Sequence, residues 1–155
     1  MGLRASIALV LGGSLLLGCG GEYSVLVRFG PDSLGDEVLR VRVSVVESCA
    51  DQPADGGEPR AVLREVEVVR GRTAEALGEL EPGQYGLYGR GWSEDCAVVA
   101  SGCVSVDAEA GGDDTVELDL TPVDGPGCAS DEVCRDGSCH PEGATQCGDD
   151  GDCDD

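Results

Sequence analysis

Apolar and polar residues alternate along much of the chain between residues 23 and 120. The clearest case is EVLRVRVSVVE, in which Leu39, Val41, Val43 and Val45 alternate with polar residues. Because side chains along a strand point alternately to its two faces, this pattern predicts a strand with one buried face and one wet face. The other predicted strands are Tyr23–Phe29, Ala61–Val69, Gln84–Trp92, Cys96–Ala100, Val104–Asp107 and Thr115–Leu120.

Turn-forming residues separate these predicted strands. They occur at Gly30-Pro31-Asp32, Asp55-Gly56-Gly57, Glu81-Pro82-Gly83 and Gly111-Gly112-Asp113. About seven short strands joined by such turns predict an all-β fold, an antiparallel β-sandwich whose core is built mainly from valine and leucine. One segment is ambiguous, because Ala61–Val69 also fits a short helix.

One of the predicted turns carries a family resemblance. The segment Leu80-Glu81-Pro82-Gly83-Gln84-Tyr85-Gly86-Leu87-Tyr88 resembles the turn and strand of carboxypeptidase-regulatory-like, transthyretin-like and fibronectin-like sandwich domains. The resemblance implies that the Pro-Gly turn leads into a strand whose tyrosine packs in the core. It covers about ten residues and concerns the fold rather than the function.

The N-terminal segment has the layout of a secretory signal helix. A positive charge at Arg4 precedes thirteen mostly apolar residues, Ala5 to Leu17, and small residues follow. The segment is shorter than the roughly 20 apolar residues that span a bilayer. We therefore expect residues 1–18 to be a signal peptide.

The end of this segment, Leu16-Leu17-Gly18-Cys19, resembles the lipobox of bacterial lipoproteins. The resemblance implies cleavage after Gly18, acylation of Cys19 and attachment to a membrane through two or three acyl chains, which anchor stably where one does not. Gly20 stands where many inner-membrane lipoproteins have aspartate, so outer-membrane sorting is expected. The alternative is an ordinary signal peptide, with Cys19 in a disulfide.

The cysteine count agrees with the lipobox. The chain has nine cysteines, and acylation of Cys19 leaves eight that can pair completely in an oxidising compartment. A zinc site is not expected, because no CxxC pair occurs and the only histidine is His140. The disulfide candidates are Cys49, Cys96, Cys103, Cys128, Cys134, Cys139, Cys147 and Cys153.

Two pairings are open in the predicted sandwich. If DCAVVASGCVSV forms a hairpin that turns at Val99-Ala100, Cys96 and Cys103 lie opposite each other. Alternatively Cys49, in the long loop ESCADQPADGGEPR, pairs with one of them. A bond to Cys49 is favoured, because the loop would otherwise be poorly tethered.

Charge divides the chain into a domain and a tail. The formal net charge is −21, and the final 32 residues hold 10 acids and 1 arginine. The turn-rich stretch Val123-Asp124-Gly125-Pro126-Gly127 predicts a linker, so the domain is residues 19–123 and the cysteine-rich, loop-like tail is residues 124–155. Nucleic acid is not an expected partner for so acidic a chain, because phosphates require a basic face.

The tail offers one candidate metal site. Asp150, Asp152 and Asp154 alternate in a D-x-D-x-D string, and carboxylates of this kind can bind calcium. An EF-hand loop needs glycine at its sixth position, where this string has Asp155. The tail is also expected to contain two local disulfides, because it has no core of its own.

No catalytic motif was found. The sequence lacks HExxH, GxSxG and a P-loop, and all ten basic residues are arginine. The expected function is therefore a non-enzymatic, lipid-anchored envelope or surface protein without a cofactor, whose domain binds or supports another envelope protein. The alternatives are a calcium-binding module and an enzyme with an unrecognised carboxylate site.

Overall fold

A computed structural model describes residues 22–68, 75–135 and 138–142. This part of the chain is almost entirely β-structure, which confirms the all-β prediction. The elements, in chain order, are β1 (Tyr23–Phe29), α1 (Leu34–Glu37), β2 (Arg40–Val46), β3 (Val62–Val68), β4 (Glu75–Gly78), β5 (Gly83–Trp92), β6 (Val98–Ala108), β7 (Thr115–Pro122), β8 (Glu132–Arg135) and β9 (Ser138–Pro141).

The strands form a nearly closed barrel rather than a two-sheet sandwich. Strands β1 to β7 make one sheet in the order β3-β2-β5-β6-β7-β1-β4, and β8 pairs with β9 in a separate hairpin. The sheet is mixed, because β1 runs parallel to β7 while the other pairs are antiparallel. The prediction of an antiparallel sheet is therefore wrong for this pair, which joins the first strand to the last strand of the barrel.

Most predicted strands are present, with one important difference. The predicted strands Cys96–Ala100 and Val104–Asp107 belong to a single strand, β6, so Val99-Ala100 is not a turn. Residues Gly83 to Gly91 of β5 pair continuously with β6, and this uninterrupted pairing keeps β6 extended through Val99-Ala100. The ambiguous segment is a strand, β3, rather than a helix. Sequence analysis missed β4, α1 and the β8–β9 hairpin.

The core lies on the inner face of the sheet. Val41, Val43 and Val45 are buried there as the alternation predicted, whereas Leu39 precedes β2 and is 43% exposed. The same core contains Leu87 of β5 and the fully buried leucines of β7, Leu118 and Leu120. Gly89 permits close packing here, because a Cβ at this position would lie 2.7 Å from Leu120 Cδ2 and 2.8 Å from Leu118 Cδ2.

One arginine bridges the two edge strands. Strands β3 and β4 are at opposite ends of the sheet order and are not paired with each other. The Arg64 guanidinium of β3 donates hydrogen bonds to the backbone oxygens of Leu77 and Glu79, the latter at 3.3 Å. Two carbonyls, one within the edge strand β4 and one directly after it, thereby gain a charged donor.

A second layer covers part of the outer face. The β2–β3 loop, residues 47–61, packs on β5 and β6. Residues 123–126 run alongside the start of β6 and form backbone hydrogen bonds with it. Gly125 N donates to Val98 O at 2.9 Å, and Val98 N donates to Pro126 O at 3.0 Å. The expected linker is thus held against the barrel over this stretch.

Candidate functional site

Several predicted site residues lie outside the described residues. They are Gly18 and Cys19 at the expected cleavage and lipidation site, Cys147 and Cys153 among the disulfide candidates, and the calcium candidates Asp150, Asp152 and Asp154. The signal peptide, residues 1–18, also lies outside the described part.

The other six cysteine candidates form three disulfides. The favoured bond to Cys49 is present, because Cys49 pairs with Cys103 across 54 residues with Cα atoms 5.7 Å apart. The alternative Cys96–Cys103 pairing is wrong. Cys103 lies within β6 and Cys96 lies just before the same strand, so the two residues are not on opposite arms of a hairpin.

The tail is bonded both to itself and to the barrel. Cys128 pairs with Cys139 within the tail, while Cys134 pairs with Cys96 beside β6. One expected local bridge of the tail, Cys128–Cys139, is thus present, whereas Cys134 bonds to the barrel because the β8–β9 hairpin lies against it. Although Cys96, Cys128 and Cys134 have sulfur atoms within 4.8 Å of one another, disulfide bonding deprives them of the thiolate that a metal requires.

The barrel carries a cluster of arginines around its only tryptophan. Alternation along β2 places Arg40 and Arg42 opposite the core, and the pairing register sets them beside Trp92 and Arg90 of β5. We refer to Arg40, Arg42, Arg90 and Trp92 as the Arg–Trp face. The guanidinium carbons lie 5.1, 5.9 and 4.9 Å from the indole centroid for Arg40, Arg42 and Arg90, respectively. Each distance is within the range for cation–π attraction.

Two glutamates partly neutralise this cluster. Arg90, only 4% exposed, donates to Glu58 Oε1 at 2.8 Å, and the Glu58 side chain is 88% exposed. Arg42 lies 3.8 Å from Glu65 Oε2, and Glu65 also accepts a hydrogen bond from Ser44 Oγ at 2.9 Å. Counting only residues that the structure describes, the face therefore holds three guanidinium groups against two carboxylates.

Arg40 links the face to the tail. Its Nη1 atom donates to Ser138 Oγ at 3.2 Å, at the start of β9. Its Nε atom is buried and has no hydrogen-bond partner among the described residues. A buried guanidinium N–H without an acceptor is energetically costly.

Tyr88 fixes the β2–β3 loop beside the face. Its hydroxyl lies 2.9 Å from Pro53 O and 3.2 Å from Gly57 O, so its single proton can be donated to either carbonyl. Burial raises the pKa of Tyr88 above its usual value, against the opposing effect of nearby Arg90. The loop is thus held by a hydrogen bond at Tyr88, an ion pair at Glu58 and the Cys49–Cys103 bond.

The acidic residues that an unrecognised carboxylate site could use have other surroundings. Glu65 is bound to Arg42 and Ser44, while Glu94 and Asp95 are exposed. These last two line an open cavity of about 400 Å³ that also contains Asp36 and Glu37. The exposed His140 lies in β9 opposite Val133, in the tail hairpin. These groups do not assemble a nucleophile with a base.

Sequence analysis did not anticipate the Arg–Trp face. Alternation showed that Arg40 and Arg42 share the wet face of β2, but the pairing of β2 with β5 was needed to place them beside Trp92. The sequence did carry a partial signal for this face. Tyr88, Arg90 and Trp92 are spaced two residues apart and so share one face of their strand, just as Arg40 and Arg42 share one face of theirs.

No family model, curated protein or solved structure matches the chain. Within residues 22–68, 75–135 and 138–142, no helix has the length and apolar character needed to cross a membrane. The class that the structure itself defines is a disulfide-bonded, nearly closed β-barrel.

Proposed function

We propose that this protein is a lipid-anchored, non-enzymatic component of the cell envelope, sorted to the outer membrane, whose barrel binds an anionic group of another envelope component. The Arg–Trp face is the binding surface. The proposal extends the expectation drawn from the lipobox by assigning the binding to particular residues.

Export and anchoring are supported by cysteine usage. Leu16, Gly18 and Cys19 match the lipobox positions, and all six cysteines that the structure describes are in disulfides. Disulfides persist in oxidising compartments outside the cytoplasm. An acyl anchor also fits a protein whose negative charge is repelled by anionic lipid head groups.

The observation that carries the binding proposal is the convergence of three arginines on one indole in a chain of net charge −21. A guanidinium presents a planar fork of donors that matches carboxylate and phosphate oxygens. Arg42 has 38% of its side chain exposed and, within the described part of the chain, its one ion pair is long, so it is the arginine best placed to exchange partners. The paired strands β2 and β5 beneath hold these donors in position.

Anchoring is tested by the intact mass of the mature protein. Expressed in a Gram-negative host and extracted with detergent, the protein should begin at Cys19 and carry added acyl mass. A Cys19→Ser variant should lack that mass. A product cleaved at another residue and free of acyl groups would refute the anchor.

Binding is tested through the fluorescence of Trp92, the only tryptophan in the chain. Titration of the detergent-solubilised protein with inorganic phosphate and with an oligogalacturonate should change this fluorescence. Arg42→Ala should weaken the response at least about fivefold, which corresponds to loss of about 1 kcal/mol of charge-assisted hydrogen bonding.

A matched control is Arg28→Ala. Arg28 is an exposed arginine on β1 that pairs with Glu117 of β7, at a distance in the sheet order from β2 and β5. Its replacement changes the net charge equally and should leave the titration unchanged. Equal weakening by both variants would mean that overall charge, rather than the Arg–Trp face, governs the response.

A further inference from the structure

We infer that four cysteines at the junction of the barrel and the tail form a thiol–disulfide exchange site whose substrate is a small-molecule thiol. The incoming thiol starts an exchange that moves two disulfides to new partners, and it then leaves unchanged. This inference goes beyond the proposed function, because it requires neither the lipid anchor nor anion binding. We refer to the four residues as the exchange cluster: Cys96, Cys128, Cys134 and Cys139.

The two disulfides of the exchange cluster lie side by side. The sulfur atoms of Cys96, Cys128 and Cys134 are all within 4.8 Å of one another, although Cys128 is bonded to Cys139. Thiol–disulfide exchange occurs when a thiolate attacks a sulfur of a disulfide and displaces the other sulfur. A thiolate released at Cys128 would therefore already lie next to the Cys96–Cys134 bond.

The hairpin gives Cys134 a second possible partner. Cys134 and Cys139 are directly opposite each other in the register of β8 and β9. Opposed Cα atoms of an antiparallel pair are about 4.5–5.5 Å apart, which is within the range that a disulfide spans. The side chains of such a pair also project to the same face. A Cys134–Cys139 bond is therefore compatible with the hairpin.

The backbone likewise holds Cys128 beside Cys96. Val98 N donates to Pro126 O at 3.0 Å, and a Cβ built on Gly127 would lie 4.0 Å from Ala97 Cα. The segment that leads to Cys128 thus runs along the residues that follow Cys96. A Cys96–Cys128 bond fits this arrangement, so the exchange cluster has two complete pairings.

Exposure selects the sulfur at which exchange begins. Cys139 is exposed, whereas Cys96 is 2% exposed and Cys128 and Cys134 are half-buried. The incoming thiolate attacks the sulfur of Cys139, forms a mixed disulfide there and releases the Cys128 thiolate.

Two further steps complete the exchange. The Cys128 thiolate attacks the sulfur of Cys96 and releases the Cys134 thiolate. The Cys134 thiolate then attacks the mixed disulfide at Cys139, forms the Cys134–Cys139 bond and expels the original thiolate. Each step forms one S–S bond and breaks one, so no net oxidation or reduction occurs.

A carboxylate slows the first step. One oxygen of Glu132 lies within 4.8 Å of both sulfurs of the Cys128–Cys139 bond. Glu132 Oε2 accepts a hydrogen bond from Ala129 N at 3.0 Å, which holds this side chain in place. Its negative charge repels the incoming thiolate and disfavours the thiolate that leaves. Glu132 therefore protects the bond at which exchange begins.

The exchange changes how the hairpin is attached. In the original pairing, Cys134 of β8 is bonded to Cys96, and Arg40 Nη1 donates to Ser138 Oγ of β9 at 3.2 Å. In the new pairing, the cysteines of the two hairpin strands are bonded to each other, and the bond to Cys96 moves to Cys128, which precedes β8. The hairpin is then freer to separate from Arg40, so a thiol can alter the Arg–Trp face.

The test maps the disulfides of the detergent-extracted protein after incubation with reduced glutathione at about pH 8, without air. After alkylation of free thiols, cleavage at Asp131 and Arg135 places Cys128, Cys134 and Cys139 on three different peptides. Mass spectrometry should detect a Cys134–Cys139 link in at least about a tenth of the molecules. Amide hydrogen exchange in β9 should rise in parallel.

Two glutamate variants test the protection of the first step. Glu132→Gln keeps an oxygen for Ala129 N but removes the charge, so the Cys134–Cys139 link should form at least about threefold faster. Glu109→Gln is the matched control, because this exposed acid follows β6 and lies outside the exchange cluster. It should leave the rate unchanged. Equal acceleration by both variants would contradict the role of Glu132.

A double variant tests the route. With Cys128→Ser and Cys139→Ser, the Cys96–Cys134 bond should persist under the same conditions, because the attacking thiolate is missing. The Cys49–Cys103 bond should persist in every protein and reports that the barrel remains folded. Equally fast loss of Cys96–Cys134 in the double variant would overturn the inference.

The wild-type map decides the inference even if the double variant does not fold. Recovery of only the original pairs, or transfer of the bonds to Cys147 or Cys153, would overturn it. Either result would leave the proposed function standing, because the mass of the anchor and the titration of Trp92 are measured without added thiol.

Discussion

Individual side chains on the outer face of β5 decide how the second layer is held. Tyr88 contacts the β2–β3 loop through its hydroxyl, Arg90 pairs with Glu58 of the same loop, and Trp92 is surrounded by arginines. The opposite face of the same strand carries Leu87 into the core. One strand thus serves the core with one face and the candidate site with the other.

Removal of the Tyr88 hydroxyl should destabilise the protein. In Tyr88→Phe, the half-buried carbonyls of Pro53 and Gly57 lose their hydroxyl donor, which is expected to cost about 1–2 kcal/mol in the free energy of unfolding. Urea denaturation at pH 7 measures this loss. Tyr85→Phe is the control, because that hydroxyl binds Glu81 O at an exposed position and should cost less than about 0.5 kcal/mol.

The advantage of Tyr88 over phenylalanine should depend on pH. Because burial raises the pKa of Tyr88 in the folded state, the unfolded chain loses this proton first as the pH rises above 10. The stabilisation is therefore complete below pH 10 and declines as the pH rises through the folded-state pKa. A difference between wild type and Tyr88→Phe that grew above pH 10 would contradict this assignment.

At the scale of elements, the β2–β3 loop depends on a long-range covalent bond. The loop has no regular secondary structure over residues 47–61, and Cys49–Cys103 fixes its start to the middle of β6. Gly86 stands where a Cβ would lie 2.9 Å from both the nitrogen and the sulfur of Cys49, so β5 makes room for the bridge. The Cys49–Cys103 bond therefore helps to keep the loop over Tyr88 and Arg90.

Replacing both cysteines of this bridge should have a large effect. Chain-entropy arguments give about 4 kcal/mol for a bridge that closes 54 residues, so Cys49→Ser together with Cys103→Ser should lower the free energy of unfolding by about 3–4 kcal/mol. Chemical denaturation followed by circular dichroism measures the change.

The comparison variant removes Cys128–Cys139, which spans 11 residues within the tail. Its loss should alter barrel unfolding much less, because both cysteines lie outside the seven-stranded sheet. Equal losses in the two variants would show that the tail and the barrel unfold as one unit.

For the whole molecule, the strongest influence is the excess of acids. Net charge of this size destabilises a compact state through self-repulsion, and salt screens that repulsion. The midpoint of thermal unfolding should rise by several degrees between about 20 mM and about 500 mM sodium chloride. An unfolding midpoint independent of salt would show that the repulsion is balanced within the fold.

The same measurement separates screening from specific calcium binding by Asp150, Asp152 and Asp154. Calcium and magnesium chloride at equal ionic strength should raise the midpoint equally if screening alone acts. A larger rise with calcium would indicate a site of suitable size and flexibility for that ion.

The sequence by itself determined most of the local structure. Alternation identified β1, β2, β5 and β7 to within a few residues. It could do so because one face of a strand is buried and apolar, whereas the other is exposed to solvent and polar. It also showed that β2 has a polar face containing Arg40 and Arg42. The odd cysteine count and the lipobox gave the expectation of a lipid anchor at Cys19, which remains a prediction.

The tertiary structure decided which strands are neighbours. Alternation carries no information about partners, so it could not distinguish a sandwich from a nearly closed mixed sheet that contains the parallel β1–β7 pair. The same limit applied to the cysteines, since pairing of Cys49 with Cys103 and of Cys96 with Cys134 depends on distances across the fold. The Arg–Trp face likewise exists only because the register of β2 against β5 sets Arg40 opposite Trp92.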